Sequence, residues 1–159
     1  MFEIRYLAEN EKDFLLEMLY ESIYIEKEKK PPINELLNTN ELKKYHQNWG
    51  RKGDRALIAV DNKGTPVGAV WHRLFNIKER GYGYVNDTTP ELGIAVIKEA
   101  RGKGLGTKLM YTIIEQSKND YSALSLSVDV KNTDAVNLYH KFGFVEVKKE
   151  GNSITMLLK

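Results

Sequence analysis

The sequence predicts an α/β fold: a central mixed, mostly antiparallel sheet flanked by about four helices. Two observations carry that prediction. Short apolar or alternating stretches recur along the chain with helically spaced segments set between them, in the order βααβββαβαββ. Two pairs of the stretches are joined by tight connections rich in Gly, Pro, Asn and Asp, which makes them antiparallel hairpins.

Taken in order, "FEIRYL" alternates apolar and polar residues as a first strand does. Asn10, followed three residues later by Asp13, reads as a helix start, and Phe14, Leu15, Met18 and Leu19 give that helix one apolar face. The pair Pro31-Pro32 breaks it. Leu42, Tyr45, His46 and Trp49 then fall at i, i+3, i+4 and i+7, so a second helix is expected to end at Gly50. "RALIAV", "DNKGTP" and "VGAVWHRLF" form the first hairpin. Asn76 to Pro90 is long for a plain loop, and "ELGIAVI" follows as a fourth strand. Leu105, Leu109, Met110 and Ile113 mark a helix ending near "SKND", and "LSLSVDV" alternates as a strand with one buried face. Ala135, Leu138, Tyr139 and Phe142 repeat at helical spacing up to Gly143, and "FVEVKK", "EGN" and "SITMLL" close the chain as a hairpin.

Composition excludes several classes of function. An apolar share of 42% is enough for one continuous core, so residues 1–159 are expected to form one domain. The chain contains no apolar run of about 18 residues, and "MFEIRYLAENEKD" lacks a signal-peptide core, so a cytoplasmic protein without membrane contact is expected. The absence of cysteine removes disulfides, thiolate zinc sites and cysteine nucleophiles. A net charge of +2 argues against a general nucleic-acid binder, so any anion site should be local. The three histidines form no metal-ligand spacing, and no metal is expected.

The densest signal is "KEARGKGLGTKL", Lys98 to Leu109, with three glycines and four basic side chains between a strand and a helix. Glycines so placed permit positive φ and close backbone approach, and a helix N-terminus favours an anion. The P-loop pattern fails, because the second required glycine falls on Thr107 and the order Gly106-Thr107-Lys108 is not Gly-Lys-Thr. A dinucleotide fingerprint is weak, because Thr107 follows Gly102 and Gly104 and the turn comes after the fourth strand. Arg101, Gly104 and Gly106 do match [RQ]-x-x-G-x-[GA], and "VDVKNTDAVNLYHKFGF" follows at a suitable distance. In these two motifs and in its element order the chain resembles the GNAT superfamily of N-acetyltransferases. It departs from the frequent family spelling V-x-P-E-x-R, with Lys98 in place of the proline.

The resemblance implies a GNAT-like acyl-CoA N-acyltransferase fold and a direct, ternary-complex transfer of acetyl from acetyl-CoA, as cosubstrate, to a primary amine of a small molecule or peptide. The absence of cysteine suits a route without a covalent intermediate. It implies that backbone N–H groups of Arg101, Gly102, Lys103, Gly104, Leu105, Gly106 and Thr107 cradle the pyrophosphate. It implies an oxyanion donor among the amides of Ile94, Ala95 and Val96, on a fourth strand that splays from the fifth. Tyr139 matches the tyrosine that protonates the departing thiolate, and Asn132 one that contacts the coenzyme arm. A lysine-like ammonium, with a reference pKa of about 10.4, must lose a proton before attack. Glu91, ten residues before Arg101, stands where the family often places the acceptor of that proton.

Ordinary structural roles compete at each position. Glu91 also reads as a solvated strand end, Tyr139 as a core residue, Asn132 as a helix cap, and Lys103 and Lys108 as solvated surface. "GYGYV", Gly81 to Val85, reads equally as acceptor-pocket lining or as a packed surface loop. Two other functions stay open: an acyl-CoA-binding sensor of the same fold without turnover, and a nucleotide-binding module resting on the glycine turn. Neither nucleic acid nor membrane is an expected partner; a homodimer is compatible with the family's habits.

Overall fold

The protein, described by a computed structural model, is resolved over residues 1–159. Seven strands form one sheet: β1 (Glu3–Tyr6), β2 (Arg55–Val60), β3 (Pro66–Arg73), β4 (Glu91–Val96), β5 (Leu124–Asp129), β6 (Val145–Glu150) and β7 (Ser153–Leu158). Their spatial order is β1-β2-β3-β4-β5-β7-β6. Every pairing is antiparallel except β4 with β5, which is parallel and holds only one register pair, Glu91 opposite Ser125. The sheet therefore opens between β4 and β5 just where the chain turns towards the glycine-rich segment.

Five α-helices flank it: α1 (Lys12–Ser22), α2 (Ile33–Leu37), α3 (Asn40–Lys43), α4 (Leu105–Ser117) and α5 (Thr133–Lys141). Both faces of the central strands are covered. Leu57 and Val70 join the cluster under α4, with Leu109, Met110 and Ile113, while Ile58, Ala69 and Trp71 join the one under α1, with Leu15, Met18 and Leu19. A strand buried on both sides carries apolar residues throughout, which is why "RALIAV" shows no alternation.

Two expectations need correction. α1 begins at Lys12, behind a 3₁₀ turn over Glu9–Glu11, because the Glu11 carboxylate accepts from the Ala8 amide at 2.8 Å and from Arg5. The helix expected to end at Gly50 is instead two short helices followed by turns from Lys44 to Gly50. Pro32 is the N-cap of α2, the Thr39 hydroxyl donates to the Leu36 carbonyl at 2.9 Å, and Asn48 has a φ of +57°. The carbonyls of Lys44 and Gln47 accept from the Arg73 guanidinium at 2.9 and 2.8 Å, which takes them out of any helical ladder.

Candidate active site

The glycine turn adopts the conformation its composition requires. Gly102 and Gly104 have φ of +77° and +76°, and Gly104 is the N-cap of α4. Of the amides expected to cradle the pyrophosphate, that of Arg101 is instead used by the preceding 3₁₀ turn, donating to the Lys98 carbonyl at 3.3 Å, while the backbone N–H groups of residues 102 to 107 donate to no carbonyl within the protein. These free donors at the start of a helix of 13 residues make a site for an anion, with the helix dipole adding to the attraction. The Arg101 side chain anchors the turn by donating from Nε to the Val96 carbonyl at 2.9 Å. With Lys98 where proline is frequent, the strand exit still closes as a 3₁₀ turn over Lys98–Ala100.

From this turn a cavity of about 1930 Å³ runs along the opening between β4 and β5. Ile94, Ala95, Val96, Leu105, Gly106, Thr107, Asn132 and Tyr139 line it, and Glu91 lines it as well. The Ile97 amide donates to the Val67 carbonyl on β3 at 2.9 Å. Alternation along the continuous antiparallel pair then directs the Ala95 amide to β3 and those of Ile94 and Val96 into the opening. Of the three amides expected to supply the oxyanion donor, Ala95's is thus committed to the sheet.

Tyr139 projects from α5 with its ring set edge-on to Phe144, centroids 6.0 Å apart, and its hydroxyl makes no hydrogen bond within the protein. Burial pushes the phenol up to about 12. Asn132 is the N-cap of α5, yet its side chain makes no capping hydrogen bond, and it too lines the cavity. Packing and cleft access therefore coincide at Tyr139, and the ordinary capping role of Asn132 is not realised.

Glu91 opens β4 but is not a solvated strand end: it is only 7% exposed. The Tyr45 hydroxyl donates to Oε2 at 2.6 Å and the Gly83 amide to Oε1 at 3.0 Å. Burial pushes the carboxyl up to about 7, against the opposing pull of those two donors and of Lys44. A carboxyl poised there is half-ionised near neutral pH, the range in which a general base is effective.

The acetyltransferase (GNAT) family matches residues 16–144, which takes in β4, the glycine turn, α4 and α5. The chain belongs to the acetyltransferase (GNAT) family. As a GNAT protein it is 42% identical over 59 residues to an N-alpha-acetyltransferase of Sulfurisphaera tokodaii, a match covering 36% of this chain and 35% of that one. It is 30% identical over 119 residues to N-alpha-acetyltransferase 30 of Saccharomyces cerevisiae, covering 64% of this chain and 61% of the other. The matched segments thus span less than two thirds of the length of either relative. Its fold is similar to that of spermidine N-acetyltransferase from Vibrio cholerae in complex with CoA and spermine, with a TM-score of 0.66 and 21% identity over 99% of this chain and 94% of that one.

Several polar residues of this GNAT chain lie outside the cleft. The Lys103 ammonium sits over the Phe2 ring, 5.9 Å from its centroid, so any part it has in the anion site comes from its backbone. Lys108 donates to the Phe2 carbonyl at 3.2 Å. His46 bonds the Leu37 carbonyl and His140 the Phe144 carbonyl, while buried His72 bonds the Gly53 carbonyl and is pushed down to about 4 by burial.

Tyr45, assigned from the sequence only to an apolar helical face, is the site residue that sequence reasoning missed. The signal available was Gly81-Tyr82-Gly83. A Cβ at Gly81 would lie 2.2 Å from Glu91 Oε1 and 2.7 Å from the Tyr45 hydroxyl, and one at Gly83 would lie 2.6 Å from the Leu126 backbone. Both glycines are there to let this loop close on the carboxylate.

Proposed function

We propose that the protein is an N-acetyltransferase that takes acetyl-CoA as donor and transfers the acetyl group directly to a primary amine of a small molecule or peptide. The observation that carries this reading is the convergence on one cleft of four elements: the unpaired amides of 102 to 107, the opened β4–β5 edge, Tyr139 and Glu91. The pyrophosphate lies on the amides of the turn, and the Asn132 amide group contacts the coenzyme arm. Ile94 or Val96 donates to the thioester oxygen as negative charge develops there. Glu91 takes the proton of the attacking ammonium, directly or through water, and Tyr139 returns a proton to the departing thiolate sulfur. One C–S bond breaks and one C–N bond forms; of the two protons the ammonium nitrogen loses, the first passes through Glu91 to bulk water and the second, lost once the C–N bond has formed, restores the Tyr139 phenol that protonated the sulfur.

The named relatives favour an α-amine as acceptor, because both the Sulfurisphaera and the Saccharomyces proteins are N-alpha-acetyltransferases. The test is release of free thiol from acetyl-CoA over a panel containing peptides with free N-termini, polyamines and amino acids. Turnover confined to the peptides is expected. The Tyr139→Phe variant should bind acetyl-CoA as tightly as the wild type and lose about a hundredfold or more in kcat. Binding without thiol release on any amine would show instead a sensor of the same fold, and unchanged kcat in Tyr139→Phe would remove that residue as the acid.

A further inference from the structure

We propose that Tyr45 is a positioning residue for Glu91: its phenol fixes the carboxylate and clamps the 81–83 loop onto it, so that base and acceptor-side loop form one unit. The proposal rests on the reading of Glu91 as the proton acceptor. A phenol has one proton to give and lone pairs to accept with, and Tyr45 uses both. It donates to Glu91 Oε2 at 2.6 Å and accepts the Tyr82 amide at 2.6 Å, while the next amide of the loop, from Gly83, donates to Oε1 at 3.0 Å. Each carboxylate oxygen thus has one donor, and the donors come from two segments distant in sequence. The ring itself is held, edge-on to Phe75 with centroids 5.0 Å apart and stacked on Tyr82 at 6.4 Å.

The backbone that carries Tyr45 is fixed from the same strand edge. Arg73, 1% exposed, donates to the carbonyls of Lys44 and Gln47 on either side of Tyr45, and pairs with Asp54 at 2.8 Å. Arg73 is also the register partner of Glu91 across β3 and β4. One buried cation therefore sets the distance between the segment bearing the phenol and the strand bearing the carboxylate. The charged and titratable groups around Glu91 are Tyr45 and Lys44 from that segment and, from β3, its register partner Arg73 with its charge matched by Asp54; the loop adds Tyr82, whose ring stacks on Tyr45, and β5 offers the uncharged Ser125. Because the Tyr45 donor favours the ionised carboxylate, its removal leaves burial less opposed.

The test is a carbon-13 titration of the side-chain carboxyls in glutamate-labelled protein, with Glu91 assigned as the resonance missing from Glu91→Gln. A midpoint near 7 is expected in the wild type. In Tyr45→Phe, which keeps the ring and its packing, the midpoint should rise by about one pH unit. In the wild type the Tyr82 and Gly83 amide protons should shift with the Glu91 midpoint, a readout that needs no variant to fold. A folded Tyr45→Phe with an unmoved Glu91 midpoint, or loop amides indifferent to Glu91 ionisation, overturns the proposal. The base reading fails separately: full activity in Glu91→Gln would sink it and leave the Tyr45 titration result standing.

Discussion

At the scale of single residues, burial pushes two groups of the cleft, Tyr139 and Glu91, in the direction that suits the opposite tasks proposed for them. Tyr139, pushed up to about 12, stays a phenol at every working pH. Giving its proton to a thiolate of ordinary pKa, about 8.5, is uphill by roughly 5 kcal/mol, against a barrier of about 13–17 kcal/mol for common turnover rates. Glu91 is raised from the ordinary carboxylate range to about 7, so between pH 4.5 and 7 the folded state holds a proton that the unfolded chain has released. Stability from this group is therefore greatest below pH 4.5 and declines as pH rises to 7, by roughly 3 kcal/mol if the full shift is expressed. Glu91→Gln should remove that decline while abolishing most activity. Unfolding free energies of both proteins from pH 5 to 8 check it; parallel curves would show that Glu91 is not held near 7.

At the scale of elements, the glycine turn and the 33–50 segment show how local chemistry is read differently by the tertiary context. The turn needs left-handed backbone at Gly104, and an alanine there costs about 1 kcal/mol although no atom lies within reach of its Cβ. Gly104→Ala should lose that stability and, by shifting the amides of α4's first turn, weaken acetyl-CoA binding about tenfold or more. Gly151→Ala is the control. Gly151 has a φ of +61° and open space in the β6–β7 turn, so it should lose similar stability and no affinity by calorimetry. Equal affinity in both variants would detach the turn from the donor. Between α3 and β2, by contrast, the 3.6-residue spacing of Leu42, Tyr45, His46 and Trp49 misled. Arg73, 26 and 29 residues away in sequence, claims the carbonyls that a helix would have used, and a sequence window shows no such competitor.

At the scale of the whole molecule, the parts meet because one parallel pairing is interrupted. β4 and β5 share a single register pair, and the opening between them joins the glycine turn to the Glu91 cluster along one cavity. Acetyl-CoA at about a hundred times its Kd should add roughly 2.7 kcal/mol and raise the unfolding midpoint by several degrees, while ATP and NAD should not. A rise with ATP or NAD alone would mean that the turn holds a different anion. The α/β order, seven strands, both hairpins, the helix behind the turn and the motif spacing of Arg101, Gly104 and Gly106 were legible in the sequence. Each depends on periodicity, turn residues or short motif spacing, which are local properties of a chain. What only the tertiary structure decided is long-range: that Ala95's amide belongs to β3, that Lys103 turns away to Phe2, that Glu91 is buried, and that Tyr45 and Gly83 grip it. Burial and hydrogen-bond partnership are set by residues from distant segments brought together, and the same glutamate at the same place in the sequence would be an ordinary solvated carboxylate without them.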